Sequence, residues 1–158
     1  MKTKKTKKIS EYGRQLKEKQ ELKKIYGLRE HTLRNYVEKA QSMEGNPENN
    51  VIILLESRLD STIYRMGFAK TQRQARQQVT HGLFTLNNRR VDIPSIQVKI
   101  GDVVAPRRKE QFDDQFIQSK VSWLVVESDF VARVVAKPNL EEVALPLDLS
   151  LALQFYSR

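Results

Sequence analysis

The sequence predicts an α+β fold: a helical domain built from both chain ends, with a small α+β module inserted between them. Three observations predict it. Leu55, Leu59, Ile63 and Met66 recur at spacings of four, four and three, which places them on one face of a helix. After Gly82 the apolar period changes to two, with Phe84 and Leu86 running into Asn87-Asn88. The last apolar segment, Leu149 to Tyr156, is too short to stand alone, while the N-terminal helices carry apolar faces with nothing yet to cover them.

In chain order, MKTKKTKK opens with five lysines in eight residues and no large apolar side chain. Alone it should not fold, and it should order only against a polyanion. The plainer reading is a solubilising tail. Ser10 caps a helix carrying Tyr12, Leu16, Leu22, Ile25 and Tyr26, and Gly27 ends it. Its other faces show Arg14, Lys17, Lys19, Lys23 and Lys24, which Glu11, Glu18 and Glu21 could pair at helical spacing. A second helix carries Leu33, Tyr36, Val37 and Ala40 and stops before Gly45-Asn46-Pro47. Val51 then starts a long helix into the central module, ended by Gly67.

Thr71 opens the next helix, with Gln74 three residues on as in a capping box. Ala75 and Val79 face one way; Arg73, Arg76, Gln77 and Thr80 face another, and Lys70 stands just before the cap. Cations and polar donors beside a helix N-terminus suit phosphate oxygens. Gly82 ends this helix, and Asn87-Asn88 forms the tight turn of a hairpin bearing Arg89 and Arg90. Pro94-Ser95 breaks the run before Ile96, Val98 and Ile100 alternate up to Gly101-Asp102. A short helix is expected near 111–119, then a hairpin in which 123–126 and 130–135 flank a turn at 127–129. Trp123 could stack on a base, but its apolar neighbours favour the core. Asp148 caps the last segment. The expected division is a basic tail at 1–8, a helical domain at 9–57 completed by 139–158, and an α+β domain at 58–138.

The net charge of +9 is unevenly spread. Residues 1–40 hold 13 Lys and Arg against 5 acids, residues 41–110 hold 11 against 7, and residues 111–158 hold 4 against 7. An anionic partner therefore meets the front two-thirds of the chain. The absence of cysteine excludes disulfides, thiolate zinc sites and cysteine nucleophiles. No apolar run approaches the roughly 20 residues of a membrane span, and no secretory signal is visible, so an intracellular, soluble protein is expected. His31 and His81 lie fifty residues apart with no ligand-spaced neighbours, and neither a nucleophile elbow nor a phosphate-loop or dinucleotide fingerprint appears. Asp113-Asp114 and Glu141-Glu142 read as solvated pairs. Neither catalysis nor a cofactor is expected.

A specific resemblance joins these features. RLD at 58–60, YRMGFA at 64–69, Thr71, ARQ at 75–77, His81-Gly82, Asn87, IPS at 93–95 and Gly101-Asp102 resemble the RNA-binding motif named for small-subunit ribosomal protein number four. The motif also occurs in pseudouridine synthases, tyrosyl-tRNA synthetases and heat-shock RNA binders. The flanks decide among them: residues 10–27, LLESRLD at 54–60 and FYSR at 155–158 are similar to the bacterial-type ribosomal family itself. The family usually carries a longer stretch before the SEYG-like segment, often with a metal-binding cysteine cluster, so a shortened form is expected. Gln72 and Leu83 stand where relatives often have a basic residue and a histidine or arginine, Gln78 where they are apolar, and Asn88 where they have a turn glycine.

The resemblance implies a structural constituent of the small ribosomal subunit that binds its RNA, nucleates assembly of the subunit body and contributes to translational accuracy. It also implies contact with small-subunit protein number five and, in some members, with the protein's own messenger RNA. No membrane partner is expected. The residues expected at RNA are Lys70, Thr71, Arg73, Gln74, Arg76, Gln77 and His81 as one group, Arg89 and Arg90 as a second, and Arg65. A third group comprises Tyr12, Lys19, Lys23, Lys24 and Tyr26 with the tail lysines Lys4, Lys5, Lys7 and Lys8. Two rival functions share the motif. An RNA-modifying enzyme fails because no catalytic domain remains once the flanks are assigned. A free-standing RNA-binding module would not need the last eight residues.

Overall fold

The computed structural model describes residues 9–113 and 117–157. The tail lysines Lys4, Lys5, Lys7 and Lys8 therefore lie outside the described residues. Helix α1 (Glu11–Ile25) begins where Ser10 accepts from the Gly13 N–H at 3.1 Å. Helices α2 (Glu30–Ser42) and α3 (Pro47–Glu56) follow, the latter capped by Asn46 and started on Pro47, a residue suited to a first helical turn. None of the described helices is long and apolar enough to cross a membrane.

The long helix expected between Val51 and Gly67 is two helices. α3 stops at Glu56 and α4 (Leu59–Arg65) restarts after Arg58, whose backbone is extended. The loop after Pro94 holds the break open. Val98 N–H donates to the Ser57 carbonyl and Leu59 N–H to the Ile96 carbonyl, both at 2.8 Å, and Gln97 Nε2 donates to the Leu54 carbonyl at 3.0 Å. These bonds replace helical ones that the kink removes. A bidentate Arg58–Asp60 pair, with both bonds at 3.0 Å, fills the corner, and Asp60 also accepts from the Ser61 N–H. The apolar stripe survives, since Leu55, Leu59, Ile63 and Met66 are all fully buried. The alternation of Ile96, Val98 and Ile100 does not become a strand. Among the described residues it leaves only one isolated bridge, Arg58 with Gln97.

Helix α5 (Gln72–Thr80) packs on α4 through Ala75 and Val79. Strands β1 (Phe84–Leu86) and β2 (Arg89–Val91) form the expected hairpin, with Asn87 and Asn88 at φ 51° and 67° as a primed turn requires. The Asn87 side chain accepts from Val103 N–H and donates to Asp102, fixing the turn to β3 (Val103–Pro106). Strands β4 (Leu124–Val126) and β5 (Ala132–Val134) complete an antiparallel sheet of order β2-β1-β3-β5-β4. The short helix expected near 111–119 is not found among the described residues; a single 3₁₀ turn at Lys109–Gln111 precedes them. Trp123 is core, at 1% exposure.

Helix α6 (Leu149–Gln154) is capped by Asp148, which accepts from Leu151 N–H, and it packs against α1 and α3. Leu149, Ala152 and Leu153 are buried there. Each leucine contributes about 1.5–3 kcal/mol by leaving water, which is what lets a six-residue helix persist. Beyond it, Tyr156 Oη donates to Glu30 at 3.0 Å, and the Phe155 ring lies 5.8 Å from that of Tyr12. The chain end thus closes directly over the first helices, and the α+β module lies between the two in sequence.

Candidate nucleic-acid interface

The C-terminal end of α1 and one face of α5 meet across a cleft of about 450 Å³. The sequence assigns these stretches to separate groups, but Lys24 from α1 and Arg73, Arg76, Gln77, Thr80 and His81 from α5 and its cap line one surface. Gly27 makes this approach possible. At φ 63° it ends the first helix in the left-handed region, and its carbonyl accepts from Arg76 Nη1 at 2.9 Å. The floor is the half-buried Ile25 and the buried Tyr26. Lys24, Arg73, Arg76, Gln77 and His81 are exposed, and none of the lysine, arginine and histidine side chains has a carboxylate within 4.0 Å among the described residues. Three permanent cations around an apolar floor, uncompensated from within, give a surface ready for anions.

Other expected residues are engaged elsewhere. Lys19 is 4% exposed; its Nζ lies 2.7 Å from Glu30 and 4.6 Å above the Phe155 ring, so it staples α1 to α2 and to the chain end. Tyr26 is 2% exposed and donates to Glu56 at 2.7 Å. Burial, then the Glu56 charge and hydrogen bond, push its hydroxyl well above the ordinary value, so it stays neutral. Arg65 grips the same carboxylate through Nε at 3.0 Å and Nη2 at 2.6 Å. Burial alone would lower the Arg65 proton affinity, but the Glu56 hydrogen bond and charge outweigh it and raise it. These three are corrections: their side chains are committed inside the fold. Lys23 is half-buried, 3.8 Å from Glu30. Tyr12 is exposed but leans on Phe155.

At the start of α5, the Thr71 hydroxyl accepts from Gln74 N–H at 3.0 Å, and Gln74 Oε1 accepts from Lys70 N–H at 2.8 Å. The box closes one residue earlier than the usual pattern, and it turns Lys70 and Gln74 toward a different hollow, beside Phe112 and Lys120. Gln72 ties α5 to α4 through Ser61 at 2.7 Å. Gln78 donates to the Phe68 carbonyl at 3.0 Å, while its own buried Oε1 has no partner among the described residues.

Arg89 and Arg90 are exposed on β2. The Arg90 guanidinium lies against Gly82, where a Cβ would come within 2.9 Å of it. From the end of β3, Arg107 Nη1 donates to the Gly82 carbonyl at 3.2 Å. Arg107 was missed in the sequence. Its signal is the run Arg107-Arg108-Lys109 directly after the apolar run Val103-Val104-Ala105-Pro106, which reads as a solvated strand end until the register puts Pro106 opposite Phe84.

Two family models match the chain. The S4 domain covers residues 57–104, and the ribosomal protein S4/S9 N-terminal domain covers residues 1–56. Among curated proteins, the chain is similar to small ribosomal subunit protein uS4 of Solidesulfovibrio magneticus and of Clostridioides difficile, each 42% identical. It is 44% identical to that of Pelotomaculum thermopropionicum. Each similarity covers 96% of this chain and 77% of the relative. The cleft joins the two matched segments, since Lys24 and Gly27 come from the first and α5 from the second. By this similarity along nearly its whole length, the chain belongs to the uS4 family of small ribosomal subunit proteins.

Proposed function

We propose that this chain is a non-catalytic, structural component of the cytoplasmic small ribosomal subunit, which binds small-subunit ribosomal RNA, helps to nucleate the subunit body and contributes to translational accuracy. One observation carries the reading: the uncompensated cations of α1 and α5, drawn from both family segments, converge on one cleft. Folded RNA hides its base edges from side chains in a deep, narrow groove, so recognition works through phosphates and shape. Lys24, Arg73, Gln77 and His81 hold one RNA segment in this reading, with Arg76 both facing it and bracing the cleft. Lys70, Thr71 and Gln74 meet a neighbouring stretch, and Arg89 and Arg90 another. The division into 9–57 with 139–158, and 58–138, belongs to the same proposal. So do contacts with small-subunit protein number five and with the protein's own messenger.

Sedimentation of a tagged copy through a sucrose gradient tests this. The expected result is stoichiometric migration with the small subunit; dispersal through the soluble fractions would overturn the reading. Binding to the RNA should also weaken steeply with salt. If on the order of six phosphates are neutralised, log affinity falls against log salt with a slope of roughly −4 to −5.

A further inference from the structure

We propose a second anion site, separate from the cleft: Arg90 and Arg107, gathered around Gly82, together take backbone phosphate of the bound RNA strand. The inference rests on the RNA-binding reading above and adds a residue and a location to it. Arg90 comes from β2 and Arg107 follows β3, on opposite sides of β1, so the sheet register brings them together. Both reach the same residue. Arg90 Nε and Nη2 lie where a Gly82 Cβ would be only 2.9 Å away, and Arg107 Nη1 is 3.2 Å from the Gly82 carbonyl oxygen. Taken through Gly82, the two guanidinium groups lie within about 10 Å of each other.

Like charges gathered this closely repel unless something negative joins them. Inside the described protein nothing does, since neither has a carboxylate within 4.0 Å, and both side chains are exposed. The Gly82 carbonyl takes up one donor of Arg107, and the Arg90 guanidinium, unlike its backbone in β2, makes no hydrogen bond among the described residues. That leaves most of ten N–H donors pointing at water, in a fork geometry that matches phosphate oxygens. Gly82 is what admits the pair. At φ 71° it is in the left-handed region, and any side chain there would also displace Arg90. His81, which lines the cleft, is its neighbour in sequence. A strand leaving the cleft past the end of α5 therefore meets the arginine pair next.

The rival account makes Arg107 a structural cap, satisfying a carbonyl at the end of α5 and doing nothing for RNA. Equilibrium binding to small-subunit ribosomal RNA over a series of potassium chloride concentrations separates the two, with melting curves alongside. For Arg90→Gln with Arg107→Gln, the proposal expects at least a tenfold loss of affinity. It also expects a salt slope shallower by about 0.7–0.9 for each phosphate lost. Arg107→Lys keeps the charge and should keep the slope. Arg90→Gln alone breaks no internal hydrogen bond, so it should reduce affinity and slope without moving the melting curve. An unchanged slope in both Gln variants overturns the arginine site while wild-type salt dependence keeps the RNA reading. No salt dependence in the wild-type protein overturns both.

Discussion

Two regions of this molecule use arginine and lysine for opposite purposes. Where α1, α3 and α4 face the interior, cations are consumed by the fold. Glu30 takes Lys19, Glu56 takes Arg65, and Asp60 takes Arg58; Glu56 and Asp60 are buried, and Glu30 is partly exposed. Along α5 and the hairpin, Arg73, Arg89, Arg90 and Arg107 have no such carboxylate among the described residues. In sequence the two sets look alike. The difference teaches that net charge indicates an anionic partner, whereas the position of the internal carboxylates decides which cations are left to meet it. If this division is right, breaking an internal pair should cost stability and spare the salt slope, and removing an uncompensated cation should do the reverse.

The largest effect is expected at Glu56. Its carboxylate is 0% exposed and holds Arg65 and Tyr26 together. Glu56→Gln would leave a half-buried guanidinium without its charge partner, and removing one member of such a pair costs about 3–5 kcal/mol. Chemical denaturation reads this directly. The salt slope of RNA binding by the folded fraction should stay as in the wild type; a change in slope would mean that Arg65 belongs to the interface after all.

Arg73→Ala is the opposite case. It is exposed, lines the cleft and has no internal partner among the described residues, so its removal should leave the melting curve in place. A charge-assisted contact is worth about 1.5–3 kcal/mol of binding. Titration calorimetry or filter binding at fixed salt should show that loss; full affinity would make this face of α5 ordinary solvated surface.

How much of this was readable beforehand follows the same division. Caps at Ser10, Thr71 and Asp148 and the Asn87-Asn88 turn are local rules, and the sequence displays them; the closing role of the last helix is long-range but shows as apolar faces left uncovered at both chain ends. The break at Ser57-Arg58 is not local. It depends on backbone groups of 94–98 arriving to replace helical bonds, which no window around Arg58 contains. The site divides likewise. Arg73 and Lys24 are identified by helix face, but their union across Gly27 is a tertiary fact. Lys19, Tyr26 and Arg65 were misread because each acquires a carboxylate from a different helix: Glu30, Glu56 and Glu56 again.

A smaller effect is expected where the chain end closes the first helices. Phe155 is half-buried, with its ring near Tyr12 and under the Lys19 ammonium. Full burial of a phenylalanine would put the cost of truncation to alanine at about 3–5 kcal/mol; half-exposure reduces it to roughly 1.5–2.5. Amide exchange gives the distribution as well as the size. Protection should fall across residues 10–42 and largely persist across 72–104, because Phe155 meets Tyr12 and Lys19 of α1, which Lys19 and Tyr156 tie to Glu30 of α2, and α5 with the hairpin has no such link. Loss confined to the second range would mean that the chain end supports the α+β module instead.

The smallest effect is the most specific, and it concerns Glu30. Burial raises its proton affinity, but the Lys19 and Tyr156 hydrogen bonds and the lysine charges outweigh that and lower it below the ordinary 4.5. A carboxylate lowered in the folded state binds its proton more readily once unfolded. Its contribution is therefore present above about pH 4.5 and disappears as pH falls through the lower folded value. The side chain is 34% exposed, so solvent screening holds the contribution to about 1 kcal/mol or less. Glu30→Gln should accordingly lower the denaturation midpoint at pH 7, and the gap from wild type should narrow as the pH is taken below 4.5. Because Lys19 loses its partner without leaving the core, the variant also asks whether a cation committed to the fold can be released to the surface. If it is released, the RNA salt slope steepens at neutral pH; if it stays under Phe155, the slope is that of the wild type and the division between the two sets of cations holds.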